Sequence, residues 1–236
     1  MRRSLAHDVA TLVSRVGHEV WRKRHVTEYH GYMHFDPPTG QWFIAHDGQR
    51  WWFDSGSIAF DFAYTGGFPG PPEWEFWHGP EDAASWWRER FGVDVPVSGA
   101  DYARARELRR RIAQSVIAVS HGQRIPAEAS SCIDTWAALP DVPPQLTAEP
   151  PVTVERLLAT IGRAAVAALS QTDRVRICGA SDCAVMYLDT SRSGNRTWCS
   201  MQRCGNRHKV RALRARRATS GRTDDPAHRS EQENDS

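Results

Sequence analysis

Cys178, Cys183, Cys199 and Cys204 form two C-x4-C pairs separated by fifteen residues toward the C-terminus of a 236-residue chain. Two short loops of this kind can bring four thiolates to one point. Zinc takes four such ligands in a tetrahedron, and four protein ligands leave no position for a substrate water, so the ion would hold structure rather than catalyse. Two disulfides are the alternative pairing. Against them, Met1-Arg2-Arg3 leads into a polar segment without the apolar run of a signal peptide, and no stretch of about 18 apolar residues could span a bilayer. A reducing cytoplasm is therefore expected, where clustered cysteines more often bind metal; a redox-switched site is the remaining alternative. His208, four residues beyond Cys204, is a competing ligand, but four thiolates suffice and it is expected to face phosphate or solvent. Cys132 reads as a small buried apolar residue.

The elements that must position these cysteines are short. Arg174–Ile177 alternates as a strand, Gly179–Asp182 forms the knuckle between the first two ligands, and Val185–Leu188 reads as the return strand. A polar loop from Asp189 to Thr197 leads to Trp198, expected to pack behind the ligand loops, and to Ser200, an N-cap for a helix running to about Arg217. A hairpin followed by a helix is a treble-clef-like arrangement. Val210 and Leu213, three apart, are expected to pack on the hairpin, while Arg207, Arg211 and Arg214 form an i, i+4, i+7 row on another face.

Charge is strongly partitioned. Residues 174–217 carry eleven Lys and Arg against Asp182 and Asp189, a net +9, whereas the whole chain is only +2 and the remainder therefore −7. Seven cations from Arg203 to Arg217 stand without one acid. Arginine forks match phosphate oxygens and release condensed counterions, which favours a polyanion, nucleic acid first. A merely solvated basic face is the bland alternative. A membrane surface fits less well, because the helix lacks a broad apolar face with aromatic anchors.

At these residues the chain resembles the CGNR zinc-finger family, whose name is spelled by Cys204-Gly205-Asn206-Arg207. Cys178-x4-Cys183, Asp189, Ser191, Arg196, Trp198-Cys199-Ser200-Met201 and Lys209 follow the same pattern. In such proteins the finger usually follows an ABATE domain, associated with stress-induced transcription regulation. Phe53 to Thr65 is similar to the glycine-then-LDLVNT opening of ABATE, and Pro80-Glu81-Asp82 through Trp86 to its next helix. Tyr64 departs from the pattern, standing where the family usually carries asparagine. The resemblance spans roughly residues 50 to 217 and implies a DNA-binding finger joined to a domain that senses a ligand or signal. Mainly on that resemblance, Asp61, Tyr64, Thr65 and Trp77 are nominated as pocket lining.

The rest of the chain suits one substantial domain plus a small module. Ala105, Leu108, Ile112, Val116 and Val119 mark a helix from about Asp101 to Ser120; Val154, Leu157, Leu158, Ile161, Ala165 and Leu169 mark another from about Thr153 to Ser170. Proline clusters flank a short strand expected around Gln145–Ala148. Gln41–Ala45 and Arg50–Phe53 flank an Asp47-Gly48 turn and read as a hairpin. Leu5 to about Arg24 fits either an amphipathic helix or a loosely ordered extension. Seven tryptophans fall within 46 residues, from Trp42 to Trp87, and read as core, pocket or interface.

The expected class is α+β: a mostly helical N-terminal domain with a few strands, and a small treble-clef-like zinc finger. The expected divisions are an extension over 1–48, the ABATE-like sensory domain over 49–172, the finger over 173–217 and a polar, disordered tail over 218–236. No catalytic residues are nominated, since the chain has no H-E-x-x-H, G-x-S-x-G, P-loop or Rossmann fingerprint. The expected function is zinc-dependent binding of double-stranded DNA as a transcription regulator. Arg207, Arg211, Arg214 and Lys209 on the helix, with Arg192 and Arg196 in the preceding loop, are the nucleic-acid candidates. Asn206 is placed either at a base edge or as a local backbone cap. A homodimer reading two half-sites and a small-molecule effector complete the expectation. A protein-interaction module or an RNA-binding protein is the alternative.

Overall fold

The computed structural model describes residues 37–44, 50–69, 75–142 and 151–220. The expected helix over 5–24, the strand over 145–148, the Asp47-Gly48 turn and Trp74 lie outside the described residues. Strands β1 (Gln41–Ile44) and β2 (Arg50–Phe53) pair antiparallel, with Gln41 opposite Phe53 and Ile44 opposite Arg50. Five helices follow: α1 (Ile58–Ala63), α2 (Pro80–Phe91), α3 (Gly99–Ser120), α4 (Ala127–Ala137) and α5 (Val154–Leu169). A second antiparallel hairpin, β3 (Val175–Ile177) and β4 (Met186–Leu188), precedes one π-helical turn (Met201–Gly205) and α6 (Asn206–Ser220). The α+β class is as expected, and α6 takes in the first three residues assigned to the tail. Among the described residues, no helix is long and apolar enough to cross a membrane.

Local chemistry starts the helices where the sequence provides caps. Ser98 and Asp101 exchange hydrogen bonds at the head of α3: Ser98 Oγ accepts from the Asp101 N–H at 3.1 Å, and Asp101 Oδ2 accepts from the Ser98 N–H at 3.0 Å. Thr153 caps α5 through the Arg156 N–H. Both long helices lie within two residues of the ranges their apolar periodicity predicts, the ordinary uncertainty of a helix end. Helix α4, by contrast, buries only Ala129 and Ile133, an i, i+4 pair among Ser, Thr and Cys, so its periodicity is faint. Cys132 sits there, half-buried against the core.

The first core joins α1 to α5 around Leu108, Ile112, Leu157, Leu158 and Ile161. Its aromatic part is Phe62 set among Trp77, Trp86 and Trp87, with ring centroids 5.4, 5.4 and 5.6 Å away. Trp77, Trp86 and Trp87 of the tryptophan-rich stretch are here core packing, whereas Trp42 is exposed. A second core has a different composition: Phe43, Trp51 and Phe53 from the first hairpin pack with Tyr187, Cys178, Cys199 and Cys204. The cysteine centre and the aromatic hairpin therefore share one interior, although they lie more than a hundred residues apart.

Polar contacts fasten the same junction. Tyr64, the residue after α1, donates its hydroxyl to the Met186 carbonyl and accepts from the Met186 N–H, both at 2.9 Å. The Leu188 N–H donates to the Ser55 carbonyl at 2.8 Å. Gly56 beside it has φ +78°, and a Cβ there would stand 2.3 Å from the Leu188 carbonyl oxygen, so glycine is what permits the approach. Tyr64→Phe removes one hydroxyl and strands two backbone groups. It should cost about 1–3 kcal/mol of stability, read as a lower urea midpoint; an unchanged midpoint would show that this link is not needed.

Candidate metal centre

The knuckle that carries the first two cysteines is held by backbone bonds. The Cys178 N–H donates to the Val185 carbonyl at 2.8 Å, the Gly179 N–H to the Thr197 carbonyl at 2.8 Å, and the Cys183 N–H to the Ala180 carbonyl at 3.0 Å. The loop between the ligand pairs folds around Asp189. This buried carboxylate accepts from the Ser191 N–H at 2.9 Å, the Ser191 hydroxyl at 2.6 Å and the Arg196 N–H at 2.8 Å. Burial pushes its pKa up, but these bonds outweigh burial and hold it below the usual carboxylate range. The second pair is set by the π turn: the Gly205 N–H reaches back five residues to the Ser200 carbonyl, which lets Cys204 turn inward. Ser200 stands at the expected N-cap position with extended backbone, but its side chain makes no capping bond.

The four sulfurs meet. All four Sγ atoms lie within 4.8 Å of one another, and the five cysteines of the chain are all free thiols. Cys183 and Cys199 are 3.7 Å apart and Cys199 and Cys204 3.5 Å apart. A tetrahedron with zinc–sulfur bonds of about 2.3 Å has edges of about 3.8 Å, so the residues present fit zinc. Three of the four are buried, and Phe43, Trp51 and Phe53 wall the cluster from solvent. His208 supplies no ligand: its ring lies on Trp198, centroids 4.7 Å apart. Trp198 packs against the centre from behind, as expected.

Family models match both halves of this arrangement. Residues 174–217 match the CGNR zinc finger. The chain therefore carries a CGNR zinc finger. Residues 56–172 match ABATE, described as "Putative stress-induced transcription regulator", in the order the sequence implies. A comparison with curated proteins finds no match.

Each residue of the CGNR string has a physical task. Cys204 is a ligand. At Gly205 a Cβ would meet Met201 Sδ at 2.8 Å. The Asn206 amide donates to the Gln202 carbonyl at 3.1 Å, the local-cap alternative, on an exposed surface. Arg207 donates to Cys204 Sγ at 3.3 Å and pairs with Asp182 at 3.1 Å, tying helix, thiolate and knuckle together. Arg211 joins the same carboxylate at 2.7 Å. The Arg211 guanidinium, with Arg207 beside it, holds the Asp182 carboxyl below its usual range.

The nucleic-acid candidates of the CGNR finger therefore separate. Arg196 is interior framework rather than an outward cation: it lies 4.2 Å over the Tyr187 ring and donates to the carbonyls of Trp198 at 3.0 Å, Asp54 at 2.9 Å and Cys199. Arg207 and Arg211 are engaged by Asp182. Arg192, Lys209 and Arg214 are exposed, with no ion-pair partner among the described residues, and so is Arg217, which sequence reasoning left out. Val210 and Leu213 do not pack on the hairpin as expected; they stay 47% and 44% exposed because Arg207, Arg211 and His208 occupy the side of α6 that meets the finger.

The nominated pocket residues of the ABATE domain hold the framework. Asp61 Oδ2 accepts from the Gly40 N–H at 2.7 Å while Arg90 donates to the Gly40 carbonyl at 2.6 Å, so a buried ion pair clamps both backbone polar groups of Gly40. Burial pushes Asp61 up to about 6 despite the opposing Arg90. The Thr65 carbonyl accepts from buried Arg109 at 2.8 Å, and the same guanidinium lies 5.0 Å over Trp77 and pairs with Glu75. Tyr64 bonds β4 as described.

Because the metal centre and β1–β2 share a core, zinc removal should loosen both. Chelation should accelerate amide hydrogen exchange in residues 41–44 and 50–53 together with 175–188, while α3 and α5 stay protected. An unaffected first hairpin would refute the shared core.

Proposed function

We propose that the chain is a DNA-binding transcription regulator in which the zinc centre fixes α6 and α6 meets the duplex. The observation that carries the reading is that Lys209, Arg214 and Arg217 are exposed on a helix tied to the metal-centre knuckle through the pairing of Arg207 and Arg211 with Asp182. Such a helix presents fixed cations at low entropic cost, which is what phosphate contact requires. Arg192, exposed in the preceding loop, is a further candidate for phosphate contact. The two matched families are a zinc finger and a regulator domain rather than enzyme families, which agrees with this reading.

The helical domain would then hold the sensing function, acting in the reducing cytoplasm. Asp61, Tyr64, Thr65 and Trp77 are its proposed responsive residues: each belongs to the framework, and Tyr64 contacts the finger directly. A small-molecule effector that disturbs this region would be transmitted through the shared core. One helix offers few base contacts, so a homodimer reading two half-sites completes the proposal.

The test is binding of the purified, zinc-loaded chain to duplex from its own promoter region, against random duplex, RNA and chelator-treated controls. Zinc-dependent, sequence-selective binding is expected; equal displacement by every duplex, or none at physiological salt, would refute it. Arg214→Ala should lower the slope of log K against log salt by about one unit. Arg214 carries this test better than Arg211, which already has a carboxylate partner; an unchanged slope would remove Arg214 from the interface.

A further inference from the structure

Helix α6 keeps two branched apolar side chains in solvent within the most basic stretch of the chain. Val210 is 47% and Leu213 44% exposed. With Arg214 and Arg217 they complete an i, i+3, i+4, i+7 face, and Lys209 lies beside Leu213, one helical turn before it. Arg211, one residue after Val210 and hence about 100° further round the axis, points instead to Asp182. The outward face thus has an apolar centre and a cationic border, and the remaining cations of the helix start are turned toward the finger.

The charge selects what can cover this face. A second copy of the helix would set Lys209, Arg214 and Arg217 against their own counterparts. An apolar protein surface would cover Val210 and Leu213 but desolvate the cations without compensation. A DNA duplex satisfies both: phosphates border the major groove, which is wide enough for an α-helix, and its floor offers one apolar group among the base edges, the thymine 5-methyl. Resting on the DNA-binding reading, we propose that Val210 and Leu213 contact thymine methyl groups in the major groove and supply sequence preference, while Lys209, Arg214 and Arg217 contact phosphates. Specificity is then carried by apolar side chains outside the arginine row.

The test uses the full, zinc-loaded chain and duplexes enriched by it from a randomised library. Each thymine of the enriched sequence is replaced in turn by deoxyuridine, which deletes only the 5-methyl. The wild-type chain should lose about fourfold in affinity per contacted methyl, the value of one carbon withdrawn from water. The Val210→Ala, Leu213→Ala double variant, whose positions are exposed and whose new residues favour helix, should bind thymine and deoxyuridine duplexes equally with an unchanged salt slope. Enrichment without a thymine-containing consensus, no loss on deoxyuridine substitution, or discrimination that survives in the double variant would overturn the proposal while leaving salt-dependent DNA binding intact. Failure to bind any duplex would remove the DNA reading itself, and this proposal with it.

Discussion

Four thiolates must converge on one point, and the arrangement of the C-terminal half follows from how the chain brings them there. Two come from a knuckle between β3 and β4; the other two come from a loop and a π turn that exists because Cys204 must face inward before α6 can begin. Without an ion, the four clustered sulfurs would have only one another and a few donors. With zinc, they become the fixed centre of a small hydrophobic interior. That interior is too small to close by itself. Phe43, Trp51 and Phe53 close it from the N-terminal side, and Arg203 lies 4.9 Å over the Trp51 ring.

The same constraint divides the arginines. Cations near the metal centre are used to assemble it: Arg196 ties the ligand loop to Asp54, and Arg207 and Arg211 converge on Asp182. Partly exposed pairs of this kind add little to stability individually, but they fix the roll of α6 about its axis. Once that roll is set, Lys209, Val210, Leu213, Arg214 and Arg217 are outward. A positive segment is thereby divided between cations engaged by the finger and cations left without a carboxylate partner among the described residues.

How much of this was legible depended on the distance over which a signal acts. The cysteine centre could be read because its ligands are paired at short spacing, and α3 and α5 because each repeats its apolar residues over four turns or more. Helix α4 buries two residues and gave no period. Val210 and Leu213 share a face with each other, as the spacing implies, but spacing says nothing about what lies opposite; the ion pairs to Asp182 decide that. Arg196 illustrates the same limit, since an arginine in a polar loop looks identical in sequence whether it points outward or over the Tyr187 ring. Tyr64 stands out only as a departure from its family's pattern. Its partner Met186 is 122 residues away, and only the fold brings the two together.

The metal centre is the claim on which the rest turns, and zinc-edge X-ray absorption of the purified full chain addresses it directly. The account predicts one shell of four sulfurs at about 2.3 Å. A nitrogen or oxygen ligand in place of any sulfur would contradict it, because the loop, the π turn and the orientation of α6 are all derived from four cysteines meeting at one ion.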